Sequence, residues 1–297
     1  MTNDAITKNA KRPTAIPRVL RFGACVIVAS FVAAVSAQSP RRIVSLVPNV
    51  TEILFAIGAG PQVVAVSTYD VEPPEVRSLP TVGALVDPDT EKIISLRPDL
   101  VITYGSQTDL QSQLKSANIP LFDYRHGGLE HIFVTMRALG TRTGHAAGAE
   151  KAVQTLQSAI DAVRKRVAGK KKPKTLLVFG REPGSLRNIY ASGGRGFLHD
   201  MLVAAGGDNV LADIDRESAQ VNTEMVLTRA PEVILELKSA NRLNDADLKT
   251  VIHPWQTLSS VPAVKNARVI VVMGSGLTVP GPRVAEGVDK LARALHP

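Results

Sequence analysis

Two patterns of apolar positions alternate along this chain. Short continuous apolar runs read as buried strands: Arg42 to Val47, Val63 to Ser67, Leu100 to Thr103 and Pro120 to Asp123. Between them the apolar residues recur at helical spacing. A helix is predicted from Pro48-Asn49-Val50-Thr51-Glu52 to about Ile57, with Gly58 and Gly60 ending it. Strands separated by helices imply a parallel sheet. From Leu129 to Ala168 there is no proline and the pattern is helical. Gly140, Gly144 and Gly148 are expected to break its early part. Ala149 to Val167 reads as one long helix, with Val153, Leu156, Ile160 and Val163 on one face. A second series follows: a strand at Thr175–Phe179, a helix from Phe197 to Ala205, strands at Val233–Leu237 and Val269–Met273, and a helix from Gly281-Pro282-Arg283 to Leu295.

One unit occurs twice. Thr90-Glu91 opens a short amphipathic run that ends at Pro98-Asp99 and continues as Leu100-Val101-Ile102. Thr223-Glu224 opens another that ends at Pro231-Glu232 and continues as Val233-Ile234-Leu235. Thr is expected to cap each helix and Glu to sit in its positive first turn. Pro stops each helix, because the residue before Pro avoids the helical region. The fold expected is α/β, with two similar lobes carrying parallel sheets and joined by one long helix. The boundaries are residues 38–146 for the first lobe, 147–172 for the connecting helix and linker, and 173–297 for the second. A single helical connector allows little hinge opening.

Composition changes this picture at the N-terminus. The formal charge is +8, and residues 1–37 carry half of it. Basic residues end at Arg21, an apolar run spans Phe22 to Val35, and Val35-Ser36-Ala37 is a small-residue cleavage site. The reading is an export signal over residues 1–37, a mature chain from about Gln38, and a periplasmic address. The run is too short for a comfortable membrane span. The only cysteine, Cys25, lies inside it, so the mature chain has no thiol for disulfides or metal. The rest of the positive excess includes Lys170-Lys171-Lys172 with Lys174, read as a solvated linker rather than a nucleic-acid site.

Chemistry is sparse. There is no G-x-S-x-G elbow and no Walker A loop, and Pro-Asn-Val-Thr follows the first strand where a dinucleotide site would need glycines. The loop Gly193-Gly194-Arg195-Gly196 precedes a helix; an anion site on its amides and a plain turn are both open. His126, His131, His145, His199, His253 and His296 form no ligand motif, so no metal site is expected, with His126 the best exception. Tyr69, Tyr104 and Tyr124 lie just beyond the C-terminal ends of three predicted strands, the edge where open parallel sheets bind ligands, and Tyr190 lies in the second lobe. An aromatic body with a polar tip suits a flat ligand. The chain is therefore read as no enzyme, with an exported α/β enzyme as the lesser alternative.

Several motifs together carry a resemblance: Pro48-Asn49-x-Thr51-Glu52-Ile53-Leu54, Glu91 with Leu96-x-Pro98-Asp99, Gly206-Gly207-x-Asn209-Val210, Trp255 with Val261-x-Ala263-Val264-Lys265-Asn266, and Gly281-Pro282-Arg283. Over about residues 41–297 the pattern is similar to the periplasmic solute-binding proteins of ABC importers for vitamin B12, haem and ferric siderophores, and within them to the cobalamin binders. The resemblance implies two Rossmann-like lobes, a rigid connecting helix and a ligand held in the cleft. It implies a monomer with no cofactor that delivers cargo to a permease dimer. Glu91 and Glu224 match the two glutamates that dock onto permease arginines. Tyr69, Tyr104 and Tyr190 match aromatic pocket positions. Leu85 and Ser218 fall where cobalamin binders have tryptophans, so a related corrinoid, haem or a siderophore stays open as cargo. Arg181 and Glu182 are expected to face the cleft, with Arg181 placed to pair with a ligand carboxylate.

Overall fold

A computed structural model describes residues 39–239 and 243–297. The predicted export segment lies outside the described residues. Ser39 to Pro297 forms one compact unit built on two sheets.

The first sheet has four parallel strands in the order β2-β1-β3-β4: β1 Ile43–Ser45, β2 Val63–Val66, β3 Leu100–Tyr104 and β4 Leu121–Tyr124. Helices α1 (Pro48–Ala56), α2 (Thr90–Ser95) and α3 (Thr108–Ser116) connect them, and α4 (Leu129–Thr143) leads out. The all-parallel reading holds here. Helix α5 (Ala146–Val167) then runs to the second sheet, where β5 (Lys174–Gly180) pairs in parallel with β9 (Val233–Lys238), and β9 with β10 (Val269–Met273). A two-residue strand, β7 (Asp208–Asn209), also joins β5.

The second sheet is mixed rather than purely parallel. β6 (Ile189–Ser192) and β8 (Ser218–Val221) add antiparallel to the far edge of β5. Both are four-residue strands, too short a run to read in advance. Helices α6 (Phe197–Ala204), α7 (Thr223–Arg229), α8 (Asp245–Ile252), α9 (Pro262–Lys265) and α10 (Val284–Leu295) complete this half.

Only one of the three glycines near the long helix breaks it. Gly144 takes the left-handed conformation that ends α4, with φ 79°. Gly140 and Gly148 stay helical because they are contact points. A Cβ at Gly148 would lie 2.2 Å from the Ile57 carbonyl oxygen, and one at Gly140 would lie 2.4 Å from the Ala149 methyl. Their missing side chains let α1, α4 and α5 pack closely.

The lobes are distinct as sheets but not as cores. One buried apolar cluster takes in Ile53 and Leu54 of α1, Met136 of α4, Val153 and Ile160 of α5, Met201 of α6 and Leu291 of α10. Two smaller clusters sit on the outer faces of the sheets, around Ile93 and Leu114 in one half and around Trp255 and Ile234 in the other. Polar ties cross between the halves. The Arg283 guanidinium donates to both Glu52 oxygens at 2.7 and 2.8 Å. Asn49 donates to the Pro280 carbonyl at 3.2 Å, and Asp200 of α6 accepts the Leu129 amide of α4 at 2.8 Å. These ties and the shared core extend the expected restraint well beyond the single connector.

The repeat is visible in the backbone. Each helix has its acceptor cap one residue before the threonine: Asp89 accepts from the Lys92 amide at 2.9 Å, and Asn222 from the Met225 amide at 2.8 Å. Thr90 and Thr223 are the first helical residues, so the threonine cap is corrected by one position. The residues before the prolines, Arg97 and Ala230, both turn left-handed, with φ 48° and 46°. Asp99 then accepts the Arg41 and Arg42 amides at the head of β1, and Glu232 the Lys174 amide at the head of β5.

Candidate functional site

The C-terminal ends of the first sheet's strands carry a group of rings. Tyr104 and Tyr124 are the last residues of β3 and β4, with centroids 6.1 Å apart. His126 lies 5.0 Å from Tyr104 and edge-on to Tyr124 at 5.5 Å. The Tyr124 hydroxyl meets His126 Nδ1 at 3.3 Å. Tyr124 is buried within its strand rather than beyond it, and burial pushes its hydroxyl up to about 12. Tyr104 is half-buried; its hydroxyl is raised by burial and then by Glu217. His126 is lowered by desolvation, which Glu217 partly offsets. Glu217 precedes β8, so the second half of the molecule approaches the ring group at this edge.

Two loops extend this edge. Tyr69 is 69% exposed, held outward by a turn in which Ser67 donates its amide to Asp70. Val71, two residues on, and Leu85 and Val86 of the next loop are also exposed. Hydrogen bonds draw Tyr69, Leu85 and Tyr104 together: Thr68 donates to the Gly83 carbonyl through both its amide and its hydroxyl, and the buried Gln107 accepts from the Tyr104 amide while donating to the Leu85 carbonyl, each at 2.9 Å. Exposed apolar groups gathered at strand ends mark a contact surface. Asp70 lies beneath, next to Glu52, and burial raises its carboxyl to about 6.

On the opposite side, Ser218 opens β8 at the rim, paired with Ser192 of β6. Tyr190 is exposed on β6 with its ring against Phe179, 6.5 Å between centroids, rather than in the ring group of the first sheet. Glu182 is exposed in the turn after β5.

Arg181 is the main correction. Its side chain is only 2% exposed and points into the second half. Its Nε donates to Glu236 at 3.1 Å, its Nη1 to the Ser185 carbonyl at 2.6 Å and its Nη2 to the Val251 carbonyl, and the guanidinium lies 5.7 Å over Trp255. Trp255 donates to the same Glu236 at 2.9 Å, and Lys238 pairs with it. Glu236, buried within β9, draws the arginine inward, so Arg181 is not free to receive a ligand carboxylate. The glycine loop is also resolved. The amides of Gly193, Gly194 and Arg195 donate to the carbonyls of Glu217, Ile214 and Arg216, so they hold a loop and not an anion.

Glu91 and Glu224 are exposed at the second residue of α2 and α7. Two cavities lie elsewhere: about 580 Å³ by His253 and Pro254, and about 470 Å³ among Phe133, Ile160, Arg164 and His199. Neither is lined by Tyr69, Tyr104, Tyr124 or Tyr190.

The ring group and the exposed apolar loops at the strand ends of the first sheet form one contact surface. The family model for periplasmic binding proteins matches residues 43–274. The chain belongs to the periplasmic binding protein family. Members of this family are substrate-binding proteins and not enzymes, and those of ABC transporters deliver ligand to a membrane permease. The chain is similar to an uncharacterised ABC transporter substrate-binding lipoprotein, YvrC, of Bacillus subtilis, 29% identical over 265 residues that cover 88% of this chain and 81% of that one. It is 32% identical to the vitamin B12-binding protein of Salmonella typhimurium over 225 residues, covering 75% and 80%. Its fold matches the apo form of the periplasmic haem-binding protein RhuT from Roseiflexus sp. RS-1 with TM-score 0.71 and 26% identity, covering 87% and 98%. Among the described residues no helix is long and apolar enough to cross a membrane.

The residues that sequence reasoning missed are those that work in pairs. Glu52 and Arg283 both stand in quoted motifs, but their pairing spans 231 positions. Gln107 and Glu217 carried no signal, since each acts through a loop folded from distant sequence.

Proposed function

We propose that this periplasmic binding protein is exported, captures cobalamin or a related corrinoid in the groove between its two sheets, and hands it as a monomer to an ABC importer. The observation that carries the reading is the ring group of Tyr104, Tyr124 and His126, joined through Gln107 to the loops of Leu85 and Tyr69. Such a wall offers faces and edges to a flat macrocycle and polar tips to its periphery. The B12-binding relative supports the corrinoid. Haem or a ferric siderophore is the second reading, favoured by the haem-binding neighbour. Absorbance titration of the purified protein with cyanocobalamin, haemin and a ferric siderophore tests this. Saturable stoichiometric binding of cyanocobalamin is expected; exclusive binding of either other cargo overturns the corrinoid.

Glu91 and Glu224 are proposed as the contacts with the permease. The repeat sets them at equivalent positions on two helices, and both are exposed. A two-fold permease meets such a pair with one charged patch per subunit, which gives register and steering. The Glu91→Lys, Glu224→Lys double variant is expected to bind cargo normally and to lose uptake through the reconstituted importer. Normal uptake removes the docking role.

A further inference from the structure

The lysine run that reads as a linker in the sequence belongs to a larger surface. β5, β9 and β10 run parallel, so the segments entering them meet at one end of the second sheet, the opposite end from Arg181 and Glu182. Lys170, Lys171, Lys172 and Lys174 lead into β5, Arg229 and Glu232 into β9, and Lys265 and Arg268 into β10. The last turns of α5 and α10 reach the same place. Arg268 donates to the Ala294 and Leu295 carbonyls at 3.2 and 2.8 Å, and Arg166 and Arg293 share Asp289. Two adjoining cavities lie where these segments meet. One, of about 410 Å³, is walled by Lys171, Glu232, Arg268 and His296 among others, and the second, of about 220 Å³, by Arg166, Lys170, Arg293 and the same His296.

Both signs of charge occur here, and their numbers differ. Four acids are matched: Asp161 with Arg164, Asp213 with Arg229, Glu232 with Lys171, and Asp289 with both Arg166 and Arg293. Asp208, beside Lys174 in the sheet, is a fifth. Against them stand Arg268 and five exposed lysines, Lys165, Lys170, Lys172, Lys174 and Lys265, none of which is in an ion pair among the described residues. Eleven cations and five carboxylates leave a side-chain net of +6, or +5 with a carboxylate at Pro297, whereas residues 38–297 as a whole carry +4. Solvent screens both signs alike, so the excess persists at this end and the rest of that unit is net negative. The arginines are spent on carboxylates and helix-end carbonyls, which leaves no open fork for a single anion. The free groups are ammonium charges on flexible stems. They suit a plane of many anionic headgroups, where each lysine close to the surface raises partitioning roughly fivefold.

We propose that this end of the second half is a docking surface for an anionic lipid bilayer, with Lys170 and Lys172 at its centre. The proposal does not depend on which cargo the chain carries, and its test needs none. Residues 38–297 are used, since they contain the compact unit and omit the basic and apolar residues of the N-terminal segment. The protein is sedimented at low and high salt with vesicles of phosphatidylcholine alone and of phosphatidylcholine with phosphatidylglycerol. The Lys170→Glu, Lys172→Glu variant is compared with Lys115→Glu, Lys151→Glu, which changes two exposed lysines of α3 and of the start of α5 and has the same net charge. Wild type is expected to bind the mixed vesicles only, and to leave them at high salt. The first variant is expected to partition at least tenfold more weakly and the second within about threefold of wild type. Thermal melts followed by circular dichroism establish that both are folded, and Lys170→Gln, Lys172→Gln replaces the first variant if it is not. Equal weakening by both variants would reduce the effect to net charge and overturn the surface, as would wild type that ignores the mixed vesicles. Inorganic polyphosphate bound through Lys170 and Lys172, with vesicles left unbound, would assign the surface to a soluble polyanion and overturn the bilayer.

Discussion

Copy for copy, the two halves of the repeat agree in backbone: an Asp or Asn cap, a glutamate in the first turn, a left-handed residue before proline, and an acid that receives the amides of the neighbouring strand. Their strand ends differ. The first sheet ends in rings, Tyr104 and Tyr124 with His126 after them. The second ends in an ion network, Arg181, Glu236 and Lys238 under Trp255, folded inward. A repeated frame fixes where loops leave the sheet. The side chains at the strand ends then decide which half offers a face to a ligand and which half spends its polar groups on holding its own loops.

Breaking the ion network should be the costliest way to test that contrast. Glu236→Ala leaves Arg181 charged and buried, so a loss of roughly 3–5 kcal/mol is expected in urea unfolding. A loss under about 1 kcal/mol would mean that Arg181 can swing out to water, and would return it to the groove. On the aromatic side the effect should fall on binding instead. Tyr104→Ala is expected to weaken cyanocobalamin about tenfold or more, since stacking contributes on the order of 1 kcal/mol beyond area burial and 1.4 kcal/mol is tenfold. Its unfolding midpoint should move less than that of Glu236→Ala.

Asp70 sharpens the comparison through pH. Its carboxyl holds a proton to about 6 in the folded chain against 3.8 for the free group, chiefly because burial disfavours the charge. The native state therefore binds the proton more tightly, and this site's contribution is lost as pH rises from about 4 through 6. Asp70→Asn should stabilise the protein at pH 7 by on the order of 1–2 kcal/mol, after allowing for partial exposure, and by little near pH 4. Melting temperatures of the two proteins from pH 4 to 8 read this directly, and parallel curves would remove the buried charge from the account. The smallest effects concern the caps. Asp89→Ala and Asn222→Ala should each cost about 1 kcal/mol, and Thr90→Ala and Thr223→Ala clearly less. Equal losses at the threonines would restore the cap one residue later.

Much of this fold could be read from local pattern. The parallel strands of the first sheet, α1, α5, α10 and the repeat follow from runs and periods a few residues long. The antiparallel strands β6 and β8 could not, since each is four residues long and Ser218-Ala219-Gln220-Val221 buries only Ala219 and Val221. Helix breaks at Gly140 and Gly148 were misread because propensity sees a missing side chain but not the helix that fills its place. Leu85 came only from the resemblance, whereas the placement of Tyr69 and Tyr104 at strand ends was legible from the apolar runs before them. Arg181 was not, since its direction is set by Glu236, 55 positions away. Asp200 sits in the first turn of its own helix, where a carboxylate is expected to serve that helix; instead it caps another.

The core that runs through both halves also governs how the chain reaches this state. Ile53 and Leu54 near its beginning share a cluster with Val288 and Leu291 of α10. Contacts joining such distant positions form late, because long loops must close before any burial rewards them. Until α10 arrives, the apolar faces of α1 and α5 lack part of their cover, so folding of the two halves is expected to be coupled through that last helix.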